Sequence, residues 1–271
     1  MRFVRYMHHI DETKSEPRWG ALDNGDVFAL AGDPFTNPDA RRGMRLGRLE
    51  EMQLLAPVVP GKLLAVGRNY IKHIEEMAAR MGANSNLPAR PDHPTFFLKP
   101  TSAIIGPNAA IVYPTGQTQH VEHEAELGLV IGRRGRKIPE AEALSYVFGY
   151  LCGNDVSARD LRDDGQWMRG KGFDTFAPLG PCIVDGIDAS DLRITTRVNG
   201  ELRQDSRTSD LLYKIPHLIS FISQAMTLEA GDVIITGTPS GVSAIHPGDV
   251  VEVEIEGIGV LRNPVVADAT G

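Results

Sequence analysis

The sequence predicts an α+β protein built on a mainly antiparallel or mixed sheet, and three observations carry that expectation. Turn signals recur along the whole chain, short apolar or alternating runs follow them, and helical periodicity is confined to a few segments. Strands do not alternate regularly with helices, which argues against a doubly wound parallel sheet. A chain of 271 residues, 42% hydrophobic and 23% charged, can bury a large core, either as one big domain or as a main domain with a small appendage.

Taken in order, the elements divide near residue 57. Up to that point the chain is polar and turn-rich, and Asp23-Asn24-Gly25 marks a tight hairpin because Asn and Gly accept positive φ. Pro57-Val58-Val59-Pro60-Gly61 reads as a hinge into a denser body, giving a small N-terminal β-rich domain over 1–57 and a large domain over 58–271. Leu63-Leu64-Ala65-Val66-Gly67 is a short strand. The spacing of Ile71, Ile74, Ala78 and Met81 predicts a helix over 70–81. The following loop, Gly82 to Pro94, has the length of a lid or a disordered tip. Pro139 and Pro216 suit first helical turns and open helices at Glu140–Val147 and His217–Met226, the latter with Leu218, Phe221, Ile222 and Ala225 as a core stripe. Asn199-Gly200 is a second hairpin turn, and Glu252, Glu254 and Glu256 form the solvated face of a late strand.

A net charge of −7 and a pI near 5.6 argue against a nucleic-acid partner, which would require a basic face. No apolar run has signal-peptide or membrane-spanning length, so no membrane partner is expected. Cys152 and Cys182 form no CxxC and sit in apolar surroundings, as buried structural thiols do. A cytoplasmic location is the resulting expectation.

The chemistry concentrates in His120–Gly132. Alternation puts Glu122, Glu124 and Glu126 on one strand face, about 6–7 Å apart, and the strand runs on into apolar Leu129-Val130-Ile131. Carboxylates on a buried strand repel one another and lose hydration. An Mg²⁺, Mn²⁺ or Ca²⁺ ion would remove that cost, because hard cations take oxygen ligands; an exposed edge face is the other reading. His123 points away from the glutamates, and no second soft ligand has spacing for zinc. The apolar run Tyr150-Leu151-Cys152-Gly153 finishes at Asn154-Asp155, and a carboxylate at the end of a buried strand often faces a pocket. The stretch Gly165–Phe176 reads as a Gly-rich loop that brings Lys171 towards the metal or else makes a solvated turn.

These segments, taken together, resemble the fumarylacetoacetate hydrolase family. The resemblance rests on six ordered blocks over roughly residues 60 to 265: Gly67-Arg68-Asn69-Tyr70 with His73, Phe97-Leu98-Lys99-Pro100, His123-Glu124-Ala125-Glu126-Leu127, Asn154–Asp160, Gly170–Phe176 and Gly237–Val242. It implies a mixed β-sandwich roll as the catalytic domain, usually as a homodimer, with Mg²⁺ or Mn²⁺ held by Glu124, Glu126 and Asp155. Glu122 falls on a variable position outside the ligand set. Lys171 is the matching lysine, which would add positive charge where an enolate develops. Arg159, Arg162, Gln166, Thr175, Gly237 and Thr238 are the residues assigned to the substrate, a small 2-oxo acid. His73 and Glu76, three apart on one helix face, match a pair that activates water in hydrolytic and decarboxylating members; an exposed helix pair is the alternative. Arg162 replaces the Gln that many members carry, which fits a second substrate carboxylate or a solvated guanidinium.

The expected activity is hydrolysis of an acylpyruvate-like 2,4-dioxo acid such as fumarylpyruvate through a metal-bound pyruvate enolate. Isomerisation of 2-hydroxyhepta-2,4-diene-1,7-dioate and decarboxylation of oxaloacetate-like acids are alternatives. A non-catalytic relative that only binds a metal and a 2-oxo acid is the alternative of another class.

Overall fold

The computed structural model describes residues 1–10, 14–37, 40–81, 90–161 and 166–269. The N-terminal strands β1 (Arg2–His9), β2 (Ser15–Asp23), β3 (Asp26–Leu30) and β4 (Arg42–Arg48) form an antiparallel run, and β5 (Leu54–Leu55) pairs with β1. The β2–β3 link is the expected hairpin, with Asn24 and Gly25 at φ 49° and 82°. Next come β6 (Leu63–Gly67), α1 (Ile71–Met81), β7 (Thr95–Lys99), β8 (Ile104–Ile105), β9 (Ile111–Tyr113), β10 (Val121–Glu122) and β11 (Ala125–Ile131). The remainder is β12 (Val147–Asn154), β13 (Ser157–Ala158), α2 (Trp167–Lys171), β14 (Ala177–Val184), β15 (Arg193–Val198), β16 (Glu201–Arg207), α3 (Ile215–Ala225), β17 (Val233–Ile235), β18 (Val250–Ile255) and β19 (Gly259–Ala267).

Among the described residues three sheets form. The largest runs β4-β3-β2-β1-β14-β12-β11-β17-β6-β7, with β5 on β1 and β8 on β14. It is mixed, as expected: β17–β6 and β14–β8 are parallel and the other pairs antiparallel. A second sheet, β16-β15-β18-β19-β9, and the two-stranded β10–β13 complete the body. Along β6, Leu64 and Val66 join one apolar cluster while Leu63 and Ala65 join another, so the central sheet buries both faces. That is why β11 is buried at every residue. The first strands extend this same sheet through β1–β14 pairing, and Pro57, Val58 and Pro60 of the expected hinge are buried.

Four sequence expectations shift. The segment Glu140–Tyr146 is 3₁₀ rather than α-helical, since seven residues with only Ala143 buried lack the apolar face that stabilises an α-helix. The second proline helix starts at Ile215, placing Pro216 in its first turn. Within the Gly-rich stretch before Phe176 lies the short helix α2. The acidic segment is also not one strand: β10 pairs with β13, β11 pairs with β12, and His123 and Glu124 lie between them. Among the described residues no helix is long and apolar enough to cross a membrane. The loop 82–94 falls largely outside the described residues, as does Arg162.

Candidate metal centre

The break between β10 and β11 shapes the site. Glu124 crosses between sheets with both backbone groups fixed: its N–H donates to Asn154 Oδ1 and its carbonyl accepts from the Asp155 N–H, each at 2.9 Å. Asp155, just past the end of β12, is thereby placed beside Glu124, and Glu126 follows two residues along β11. One oxygen from each of Glu124, Glu126 and Asp155 lies within 4.8 Å of the others, and all three residues are buried. The structure therefore brings together the three carboxylates expected to ligate a metal.

Glu122 belongs to a different arrangement. Its buried carboxylate accepts from Arg159 Nε at 2.5 Å and Arg80 Nη1 at 2.8 Å, with His120 Nε2 at 3.1 Å. Arg159 also bonds Glu124 through Nη2. Burial works to lower the Arg159 pKa, but Glu124 and Glu122 outweigh it and the pKa rises.

Two buried lysines reach the triad, on different oxygens of Asp155. Lys171, at the end of α2, donates to Glu124 Oε2 at 2.7 Å and to Asp155 Oδ2. Lys99, at the end of β7, donates to Asp155 Oδ1 at 2.6 Å. Lys99 lies within a block that carries the family resemblance but was given no role from sequence; its signal is a lone cation closing an otherwise apolar strand. Burial pushes its pKa down, with Asp155 pulling the other way. Glu126 has neither lysine as a hydrogen-bond partner. Its Oε2 accepts the Gly237 N–H at 2.7 Å, and burial, reinforced by Asp155 and Glu124, holds its carboxyl well above the usual range.

That arrangement fits a hard divalent cation. The donors are all carboxylate oxygens, and a cation would relieve the burial and repulsion that hold the Glu126 carboxyl up. Among the described residues zinc gains no soft ligand, because the His123 ring is turned to Gln204 Oε1 at 3.2 Å and Ser243 Oγ at 2.9 Å.

The turn after β17 closes the site. Gly237 has φ 101°, and a Cβ there would lie 2.7 Å from the Asn69 side chain, so only glycine brings this N–H to Glu126 without strain. Thr238 is buried and its hydroxyl accepts from Gln204 Nε2 at 2.7 Å. On α1, His73 Nδ1 lies 3.4 Å from Glu76 Oε2, and that oxygen also accepts the Gly241 N–H at 3.1 Å. The His73–Glu76 pair is thus docked against the same turn that holds Glu126. Of the other expected substrate residues, Thr175 uses its hydroxyl to accept from the Val112 N–H at 2.8 Å, and Gln166 is exposed at the start of α2. Sequence reading missed Lys99, Arg80 and Gln204.

Fold and site define a mixed-sheet protein with a buried oxygen-donor centre able to hold a divalent cation. The profile described as fumarylacetoacetate (FAA) hydrolase C-terminal matches residues 62–266, and one described as Rv2993c-like, N-terminal, matches residues 1–57. The chain belongs to the fumarylacetoacetate hydrolase family. It is 44% identical to a 5-carboxymethyl-2-hydroxymuconate delta-isomerase from Mycobacterium smegmatis, with a TM-score of 0.83 over 99% of this chain and 100% of that one. It is also 44% identical to a mitochondrial oxaloacetate tautomerase of Bos taurus, over 80% of this chain and 70% of the relative. A maleylpyruvate hydrolase from Sphingobium sp. SYK-6, solved with manganese(II) and pyruvate, is 30% identical with a TM-score of 0.78, covering 98% of this chain and 99% of that one.

Proposed function

We propose that this chain is a Mg²⁺- or Mn²⁺-dependent enzyme that hydrolyses the C–C bond of an acylpyruvate-like 2,4-dioxo acid, such as fumarylpyruvate, to pyruvate and a second acid. The observation that carries this reading is the docking of the His73–Glu76 pair, through Gly241, on the turn whose Gly237 holds Glu126. When bound, the cation supplies Lewis-acid stabilisation of charge on the keto oxygen of the 2-oxo acid.

The chain's own groups do the rest. Glu76 orients the His73 ring through Nδ1, leaving Nε2 to take a proton from water as its oxygen adds to the acyl carbonyl. The bond between that carbon and the neighbouring methylene then breaks. Its electron pair passes into the enolate of pyruvate, which is protonated at carbon. Lys171, buried against Glu124 and Asp155, supplies fixed positive charge where the enolate develops. The acidic site also supports a second reading, keto–enol proton transfer on the same substrate class, which the likeness to an isomerase and a tautomerase favours.

Turnover of acetylpyruvate, fumarylpyruvate and oxaloacetate with Mg²⁺, with and without chelator, tests the proposal. Cleavage of a dioxo acid that chelator and His73→Ala both abolish is the expected result. Full-rate cleavage by His73→Ala removes the water-activating role. Oxaloacetate tautomerisation without any cleavage favours the second reading, and oxalate binding without turnover identifies a non-catalytic relative.

A further inference from the structure

Gln204 sits on β16, which otherwise reads as a polar hairpin strand, yet its side chain is wholly buried. Its amide joins the two halves of the centre. Oε1 accepts from the Ala125 N–H at 3.0 Å, between Glu124 and Glu126, and from the Thr196 hydroxyl at 2.7 Å. Nε2 donates to Thr238 Oγ1 at 2.7 Å and to the Pro239 carbonyl at 2.8 Å. The amide can face only one way, because a backbone N–H only donates and a carbonyl only accepts.

That orientation propagates. With Oε1 facing His123 Nδ1, that nitrogen carries the proton, and Nε2 is left to accept from the Ser243 hydroxyl. On the other side, Nε2 of Gln204 occupies the acceptor side of the Thr238 hydroxyl. The hydroxyl's own proton has no acceptor among the described residues, although Thr238 is only 3% exposed. A buried donor without an acceptor carries a desolvation cost that a ligand atom can remove. Thr238 directly follows Gly237, whose N–H already rests on Glu126.

We propose that Gln204 is a positioning residue that fixes the Thr238 hydroxyl as a hydrogen-bond donor, so that the turn beside Glu126 selects the acceptor-only carboxylate of the substrate. The inference rests on the 2-oxo acid reading above and extends it to the group that polarises the subsite. Gln204 touches no reacting atom. Its effect falls on substrate affinity, and so on KM rather than kcat.

The test is a double-mutant cycle on oxalate binding to the Mn²⁺-loaded protein, read by calorimetry, with Mn²⁺ affinity measured separately by electron paramagnetic resonance. Thr238→Val removes the donor and Gln204→Glu reverses the polarity of the bond to Thr238. Each is expected to weaken oxalate about tenfold, the scale of one hydrogen bond to a charged group. Thr238→Ser is expected to restore binding, and the double variant to bind no more weakly than either single one. Losses that multiply in the double variant overturn the proposal, because they show Gln204 acting independently of Thr238. Wild-type affinity in Thr238→Val overturns it even where Gln204→Glu does not fold. Failure of the wild-type protein to bind oxalate with Mn²⁺ in place removes the 2-oxo acid reading as well.

Discussion

Lys99 Nζ donates to Asp155 Oδ1 at 2.6 Å, and both side chains are shut off from solvent, at 0% and 2% exposure. With Lys171 on the other oxygen, Asp155 carries two ammonium partners in a space it also shares with Glu124 and Glu126. Removing one member of a buried ion pair leaves buried charge less well compensated, and without Lys99 only Lys171 faces Asp155 in a site that also holds Glu124 and Glu126. Lys99→Met is therefore expected to lower the melting temperature in chelator. Mn²⁺ supplies the missing charge, and a ligand that binds only the folded state stabilises it, so the Mn²⁺-induced rise in melting temperature should exceed that of the wild type. Equal losses with and without Mn²⁺ would assign Lys99 a packing role only.

The raised carboxyl of Glu126 sets a pH dependence in metal-free protein. Burial first, then Asp155 and Glu124, hold it well above its ordinary value, while in the unfolded chain it titrates near about 4.3. A folded-state pKa raised in this way contributes stability that is fully present below the unfolded value and is lost as pH rises through the folded one. Glu126→Gln does not titrate, so in chelator its stability relative to wild type should grow as pH rises above about 4.3. Urea unfolding at a series of pH values reads this directly, and parallel curves for the two proteins count against it. Mn²⁺ should reverse the order, stabilising wild type and leaving the variant behind.

How much of this centre was legible beforehand depended on the range of the interaction. Glu124 and Glu126 stood out because a period of two is local, and Asp155 because an apolar strand ends there. Glu122 shares that period, yet it leaves the ligand set because β10 pairs with β13 while β11 pairs with β12. Which sheet each half joins is decided by partner strands well beyond the local window and leaves no local trace. Lys99 and Gln204 were invisible for the same reason, their partners being 56 and 79 residues distant. The helix α2 was hidden by the glycine at position 170, which disfavours a helix locally and is buried here beside Lys171.

Arg80 ties α1 to the acidic strand. Its Nη1 donates to Glu122 Oε1 at 2.8 Å, and its Nη2 to Glu76 Oε1 at 2.9 Å and to the Val242 carbonyl at 2.6 Å. The Arg80 side chain is 41% exposed, so its loss should cost less stability than breaking a pair buried on both sides. Glu122 keeps Arg159 and His120 as partners in its absence. Misplacing Glu76 and His73 has a larger effect, because small errors in a reacting geometry cost up to about a hundredfold in rate. Arg80→Met is expected to speed amide exchange in α1 and to lower kcat for the cleavage while Mn²⁺ affinity holds. Unchanged exchange and unchanged kcat would leave Arg80 as an ordinary surface ion pair.

Gly241 supports the same pair from the other side. Its N–H donates to Glu76 Oε2, its φ is 97°, and a Cβ there would collide with the Arg203 carbonyl next to Gln204. Positive φ penalises an L side chain by about 1–2 kcal/mol, and forcing atoms into a packed site adds about 1–3 kcal/mol. Gly241→Ala must therefore move the turn away from β16, drawing its N–H off Glu76 and disturbing the Gln204–Thr238 bond together. The expected result is a lower urea midpoint, a loss of kcat from the His73–Glu76 pair and a rise in KM from Thr238. Mn²⁺ affinity should fall less than either, because Glu124 and Asp155 are held by β11 and β12 rather than by the turn. A variant with the wild-type midpoint and wild-type kinetics would show that the turn bends without strain and that Glu76 is held without the Gly241 N–H.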